Sequence, residues 1–264
     1  MTLSEKTRLS IKRMIEKELY KKIAKLRRSE DMHFPFYFKL FSPRLVITAS
    51  VLQSIFTWFG RKWEHFAEMI AYERFLVVKR NFAVKGEITD SELSVIDTIV
   101  KDLDSGERSP DIINEKLEIL KAHSKSKTSR KVSRIIDLFL KDSSDKEFYI
   151  ELKTVKPNKS EAMEAKRKLL EIIAMRQKFV DPDRIFVYLA MPFNPYGEER
   201  EYSRWTVLRF FKEGADLLVG KDFWDFIGGA NTYNNLLSLF DEIGRELNTL
   251  TEDIIENLCK KLEE

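Results

Sequence analysis

Cysteine and histidine are scarce in this sequence, which limits the metal chemistry open to it. The single cysteine, Cys259, cannot form an intramolecular disulfide or a cysteine-based zinc site. The three histidines, His33, His65 and His123, do not have the spacing of a pair of metal ligands. No run of 18 apolar residues occurs, and the N-terminus is charged from Glu5 onward. We therefore expect no membrane span and no secretory signal, and predict a cytoplasmic protein.

A large excess of charge of one sign is also lacking. The 264 residues include 46 Lys and Arg against 43 Asp and Glu, for a net charge of +3. Such a mild excess does not by itself indicate a nucleic-acid-binding protein. The length suits one large α/β domain, with or without helical additions, and the hydrophobic fraction of 43% can supply its core.

Helical patterns dominate the first half of the chain. Residues 4–29 predict a basic amphipathic helix, whose cationic face either is solvated or contacts a DNA backbone. A packed, aromatic loop follows at 31–43, and then a helix over 43–72 with a potential break at Gly60. We expect residues 73–122 to be helical and irregular, including one helix that begins near Asp90 and another over 110–123.

Strand-like patterns begin after a short basic connector at 123–134. Two runs rich in β-branched and aromatic residues predict a β-hairpin, and a third buried run predicts another strand. A strand, a turn at Gly220 and a short helix are expected further on. We predict an α/β fold with a mixed sheet and flanking helices. The predicted strands are 135–140, 147–155 and 184–191, and the predicted later helices are 160–179, 233–247 and 251–263.

Three charged residues lie inside the apolar runs of the hairpin. Asp137 interrupts the first run, and Glu151 and Lys153 interrupt the second. Buried charges are costly unless they are paired or bind a metal. Because side chains alternate between the faces of a strand, Glu151 and Lys153 are expected to share one face. If the strands pair about Ser144, Asp137 falls directly opposite Glu151, with Cβ atoms about 5 Å apart.

Two opposed carboxylates favour a cation between them. Mg²⁺ takes oxygen ligands and commonly uses one or two carboxylates together with waters and a substrate phosphate. We predict an Mg²⁺ site formed by Asp137 and Glu151, with the backbone carbonyl of Leu152 as a further ligand. Lys153 on the same face would offset the negative charge, and orient or deprotonate the attacking water or stabilise charge that develops on a phosphate. A structural ion pair is the alternative interpretation.

The residues Asp137 and Glu151-Leu152-Lys153 resemble the motif of the PD-(D/E)xK nuclease superfamily. That motif has an acidic residue on one strand and D/E-x-K on the next. Here Ile136 stands where the superfamily nominally has proline. The resemblance implies a single restriction-endonuclease-like domain over residues 1–264. We expect a mainly helical region at 1–122, a catalytic core at 123–195 and a C-terminal helical region at 196–264.

Three longer stretches are similar to type II restriction endonucleases of the TdeIII group. They are SVLQSIFTWFGRKWE, ELKTVKPNKSE, and LLVGKDFWDFIGG with the Tyr233 and Leu236-Leu237 that follow. The resemblance implies a homodimer that cuts a short palindromic site in double-stranded DNA, with GGNCC as a candidate. It also implies a cognate DNA methyltransferase as functional partner, and it assigns Glu64, on the helix before the core, to the active site. An ordinary exposed glutamate is the alternative for Glu64.

Basic residues flank the predicted catalytic strands on both sides. They are candidates for contacts with the DNA backbone, although the connector could also be a solvated linker. The predicted DNA-binding residues are Lys125, Lys127, Arg130, Lys131, Arg134, Lys156, Asn158 and Lys159.

Two other functions stay open at this point. One is a different nuclease of the same superfamily, acting in DNA repair or junction resolution. The other is a DNA-binding protein without catalytic activity. The type II restriction endonuclease is the function we predict.

Overall fold

A computed structural model describes residues 3–26, 34–123 and 128–263. The chain forms two compact units, Met1–Phe66 with Asn231–Glu264, and Ala67–Ala230, called here unit 1 and unit 2. We predicted one domain with regions that meet at residues 122 and 195. The two compact units do not test that organisation, which stays a prediction. None of the helices in the described ranges is long and apolar enough to cross a membrane.

Unit 1 is helical. The predicted N-terminal helix is present as far as Leu26, the last described residue of this range. Its apolar stripe of Ile11, Ile15, Leu19 and Ile23 is buried, as the 3.6-residue period requires. A π-helical turn, Ile15–Leu19, interrupts it. The helices of this unit are α1 (Glu5–Met14), α2 (Tyr20–Leu26), α3 (Tyr37–Leu40), α4 (Pro43–Ala71), whose last turns belong to unit 2, and α10 (Thr232–Glu263).

Two predicted helix boundaries in unit 1 are wrong. The helix α4 continues through Gly60, because a single glycine costs only about 1 kcal/mol in a helix whose flanking turns are well packed. Those turns carry stacked aromatic rings, including Trp63 against Phe240 of α10. The two closing helices predicted at 233–247 and 251–263 are one helix. No glycine or proline stands between them, and the apolar period runs on from Ile243 to Ile254.

Unit 2 contains a five-stranded mixed sheet, which confirms the predicted fold class. The strand order is β1-β2-β3-β4-β5, antiparallel among the first three strands and parallel among the last three. The strands are β1 (Val77–Thr89), β2 (Ser129–Lys141), β3 (Glu147–Leu152), β4 (Ile185–Met191) and β5 (Leu217–Val219). The helices are α5 (Asp90–Ser105), α6 (Ile112–Ala122), α7 (Lys159–Arg176), α8 (Trp205–Leu208) and α9 (Lys221–Gly228).

The strand β1 lies where an irregular helical region was expected, so that prediction is wrong. Val78, Val84 and Ile88 are buried, and most of the residues between them are exposed. The alternation continues through Asn81, but it is weak in the sequence because Arg80 and Gly86 stand at inward-facing positions among the apolar residues. The strand is stabilised by 12 paired positions with β2, and such a partner is not visible in a local sequence pattern.

The hairpin of β2 and β3 has the predicted register. Leu138 pairs with Ile150, and Lys141 pairs with Glu147, so the strands are symmetric about Ser144. Asp142 closes the turn by accepting hydrogen bonds from the backbone N–H groups of Ser144 and Lys146. The recorded pairing ends at Leu138 and Ile150, the residues next to Asp137 and Glu151.

A buried ion-pair triad joins three segments of unit 2. Lys166 of α7 is fully buried and lies 2.5 Å from Glu115 of α6 and 2.7 Å from Asp216, just before β5. Burial raises the pKa of Glu115 even though Lys166 opposes this. One ammonium group therefore lies between two carboxylates in the interior and links α7 to α6 and to the segment before β5.

Replacing Lys166 with methionine should destabilise the protein by about 3–5 kcal/mol, because it leaves two carboxylates buried without their cation. The free energy of unfolding in urea measures this. Lys101→Met, an exposed lysine of α5, is the control and should change it by less than about 0.5 kcal/mol. An equal effect of the two substitutions would show that the triad contributes nothing to stability.

Candidate active site

Asp137 ties β2 to β3 where their backbone pairing ends. Its Oδ2 accepts a hydrogen bond from the backbone N–H of Leu152, with a nitrogen-to-oxygen distance of 2.7 Å. The residue is half-buried. The structure thus brings Asp137 to the end of β3 that carries Glu151 and Lys153, as the sequence predicted.

Glu151 is a buried carboxylate with two cations on one oxygen. Only 1% of the residue is exposed. Its Oε1 lies 2.9 Å from the Nζ of Lys153 and 2.8 Å from the Nζ of Lys168 on α7. Its Oε2 is buried and has no hydrogen-bond partner within the described ranges. An unpaired buried oxygen beside two ammonium groups is a ready acceptor for a further cation.

Lys153 is held in its protonated form. Burial lowers the pKa of Lys153, but the Glu151 and Asp137 carboxylates, with Glu164 of α7 adding to them, outweigh this and raise the pKa above its ordinary value. At neutral pH the side chain is therefore an ammonium group and a hydrogen-bond donor. Since 31% of the side chain is exposed, it faces both the buried carboxylate and solvent.

The oxygen donors at this point fit Mg²⁺. Asp137 and Glu151 supply two carboxylates, and Oε2 of Glu151 is available for a bond. Among the residues that the structure describes, no group of three or more His, Cys, Asp or Glu side chains is arranged to hold a metal. Mg²⁺ commonly binds through one or two carboxylates and keeps several waters, so the two present here suffice. The predicted ligand role of the Leu152 carbonyl stays a prediction.

The fourth predicted catalytic residue, Glu64, lies in unit 1. It is half-buried on α4, in the portion of the helix before Phe66. Asp137, Glu151 and Lys153 all belong to unit 2. The catalytic role of Glu64 stays a prediction.

Two predicted DNA-binding residues of β2 have partners within the protein. Arg130 forms an exposed ion pair with Asp90, at 2.9 Å. Arg134 forms a two-pronged ion pair with Glu171 of α7, whose side chain is 4% exposed. This pair gives Arg134 a structural role. Lys131 is exposed on the same strand, while Lys125 and Lys127 lie outside the described residues.

The predicted DNA-binding residues after β3 are also engaged locally. Asn158 is the N-cap of α7 and forms a capping box with Glu161. Lys159 pairs with Asp104 at 2.6 Å. The Nζ of Lys156 lies 5.2 Å from the centre of the Tyr196 ring. Each of these three residues therefore has a contact within the protein. Their predicted contact with DNA stays a prediction.

Lys168 is a residue of this cluster that was not among the predicted site residues. The positions of Glu164, Lys168 and Glu171 follow the period of a helix, so they form one polar stripe on α7. Buried neighbours such as Leu169 and Ile172 mark the adjacent core face. The stripe was visible in the sequence, but its rotation toward Glu151 depends on how α7 packs.

Comparisons with known proteins agree on one class of enzyme. The profile of the type II restriction endonuclease family HinfI matches residues 2–244. The type II restriction enzyme HgiCII of Herpetosiphon aurantiacus is 26% identical over 212 residues, which cover 80% of this chain and 77% of that enzyme. HgiBI of the same organism is 26% identical over 214 residues, with the same coverage. MjaII of Methanocaldococcus jannaschii is 28% identical over 177 residues, 63% of this chain and 46% of that enzyme.

The fold, the site and these matches define a site-specific deoxyribonuclease of the type II restriction class, which confirms the predicted enzyme class. The chain belongs to the HinfI family of type II restriction endonucleases. The finer resemblance to the TdeIII group stays a prediction.

Two substitutions of Asp137 should distinguish the effect of its hydrogen bond on stability from the effect of its charge. Asp137→Ala removes the acceptor for the Leu152 N–H and should cost about 1 kcal/mol of stability. Asp137→Asn retains an acceptor oxygen and should unfold at a urea concentration close to that of the unmodified protein. Equal stability of the two variants would mean that the contact with Leu152 does not stabilise the hairpin.

Proposed function

We propose that this chain is an Mg²⁺-dependent restriction endonuclease that hydrolyses phosphodiester bonds of double-stranded DNA at a short palindromic site. The observation that carries the proposal is the cluster of Asp137, Glu151 and Lys153 at the end of the hairpin pairing, with one buried oxygen of Glu151 left without a hydrogen bond. Membership of a restriction endonuclease family supports the substrate class.

The residues of the site have distinct roles in this proposal. Asp137 and Glu151, with the carbonyl of Leu152, hold Mg²⁺, which when bound supplies charge stabilisation at the scissile phosphate. Hydrolysis increases the negative charge on the phosphoryl oxygens, and the Lys153 ammonium group donates to them. The bond from Leu152 to Asp137 keeps the two carboxylates at a fixed spacing. The proposal also keeps the predicted catalytic role of Glu64.

The wider proposal concerns partners and setting. Twofold symmetry in a homodimer would match the symmetry of a palindromic site, for which GGNCC is the candidate. A cognate methyltransferase protects host DNA, and the protein acts in the cytoplasm. The eight predicted cationic and polar residues provide salt-dependent contacts with the DNA backbone. They are Lys125, Lys127, Arg130, Lys131, Arg134, Lys156, Asn158 and Lys159.

Incubation of plasmid DNA with the protein and Mg²⁺, followed by sequencing of the ends, tests this function. We expect discrete fragments whose ends share one palindromic sequence. Asp137→Asn and Lys153→Met should slow cleavage by about a hundredfold or more, because each removes a charge from the reacting centre. Asp241→Asn, at an exposed position of α10, is the matched control and should cut normally.

The other outcomes distinguish the alternatives. Smeared products or nicks at particular DNA structures would indicate a repair or junction-resolving nuclease. Binding without any cleavage, unchanged in the Asp137 and Lys153 variants, would indicate a non-catalytic DNA-binding protein. Either result overturns the proposal.

Removal of Mg²⁺ should abolish cleavage without unfolding the protein. Without the ion, Lys153 and Lys168 still compensate the buried Glu151 carboxylate. We therefore expect that EDTA stops plasmid cleavage, that added Mg²⁺ restores it, and that the melting temperature stays nearly the same. Cleavage that persists in excess EDTA would contradict the Mg²⁺ requirement.

A further inference from the structure

Three consecutive basic residues of α7 form ion pairs in three different places. Lys166 is fully buried in the triad with Glu115 and Asp216. Arg167 pairs with Asp97 of α5, and 39% of its side chain is exposed. Lys168 lies on Glu151. Successive residues of a helix are about 100° apart, so the turn that fixes Lys166 in the core also directs Lys168 to the end of β3.

Lys168 and Lys153 share a single oxygen of the carboxylate. Their Nζ atoms lie 2.8 Å and 2.9 Å from Oε1 of Glu151, and both side chains are partly exposed, at 20% and 31%. One ammonium group is enough to compensate one buried carboxylate. Lys168 thus adds a second positive charge to a cluster that holds the carboxylates of Asp137 and Glu151, with Glu164 nearby.

A second lysine changes what Lys153 is able to do. If Lys153 were the sole partner of Glu151, its movement toward a phosphate would leave a buried carboxylate unpaired, which is costly. With Lys168 also in place, Glu151 keeps one charged hydrogen bond when Lys153 turns away. Because both lysines bind Oε1, the carboxylate also keeps its orientation, with Oε2 available to a cation.

We propose that Lys168 is a positioning residue of the active site, which retains Glu151 so that Lys153 is free to contact the scissile phosphate. This inference rests on the proposed nuclease function and assigns Lys168 a role through Glu151, without contact with the DNA. Substitution of Lys168 should therefore change Mg²⁺ binding and DNA cleavage in opposite directions. Substitution of a residue that only stabilises the fold would not do so.

The test measures Mg²⁺ binding and DNA cleavage separately in Lys168→Met. Calorimetric titration with Mg²⁺ alone, without DNA, should show binding about tenfold tighter, because a positive charge near the ion has been removed. Single-turnover cleavage at saturating Mg²⁺ should be about tenfold to a hundredfold slower, the usual cost of losing a group that supports a metal ligand. Lys168→Arg keeps the charge and should restore both values to near those of the unmodified protein.

Two further variants make the result interpretable. Arg167→Met, one position earlier on α7, is the matched control and should change neither Mg²⁺ binding nor cleavage. Lys168→Gln removes the charge while keeping a hydrogen-bond donor, and it replaces Lys168→Met if that variant does not fold. It should also bind Mg²⁺ more tightly and cleave DNA more slowly.

The inference is overturned if a folded Lys168→Met or Lys168→Gln variant cleaves as fast as the unmodified protein. It is also overturned if Mg²⁺ affinity, cleavage and melting temperature all fall together, since that pattern is typical of a purely structural ion pair. If the unmodified protein does not cleave DNA at all, the proposed nuclease function fails first.

Discussion

The pairing of β2 with β3 about Ser144 is the constraint on which the active site depends. It places Asp137 and Glu151 at neighbouring positions just beyond the last paired residues, where the Asp137 carboxylate bonds to the Leu152 backbone. A shift of one residue in this register would turn one carboxylate to the other face of the sheet. The turn residue Asp142 opposes such a shift through its bonds to Ser144 and Lys146.

The helix α7 links the stability of unit 2 to the chemistry of its site. Two of its lysines, two residues apart, compensate buried carboxylates in different ways. Lys166 is fully enclosed with Glu115 and Asp216, and so belongs to the core. Lys168 shares Glu151 with Lys153 at a partly exposed position, where a substrate can approach. The enclosed triad holds the helix at the rotation that the second contact requires.

Some of the site was predictable because local rules decide it. Glu151 and Lys153 are two residues apart on a strand, so they share a face in any sheet. The capping box of Asn158 and Glu161 begins α7 for equally local reasons. The hairpin register followed from the position of the turn. By contrast, β1 was missed, because its stability comes from β2, which lies about fifty residues further along the chain.

The sequence by itself determined the mixed α/β class, the register of the hairpin, and the identity of Asp137, Glu151 and Lys153 as charges within apolar strands. Each of these depends on residues close together in the chain, whose geometry is set by strand alternation and turn chemistry. Only the tertiary structure decided that β1 completes the sheet, that Arg134 is bound to Glu171, and that Lys168 reaches Glu151. Those contacts depend on the rotation and packing of elements distant in sequence, which no local pattern specifies.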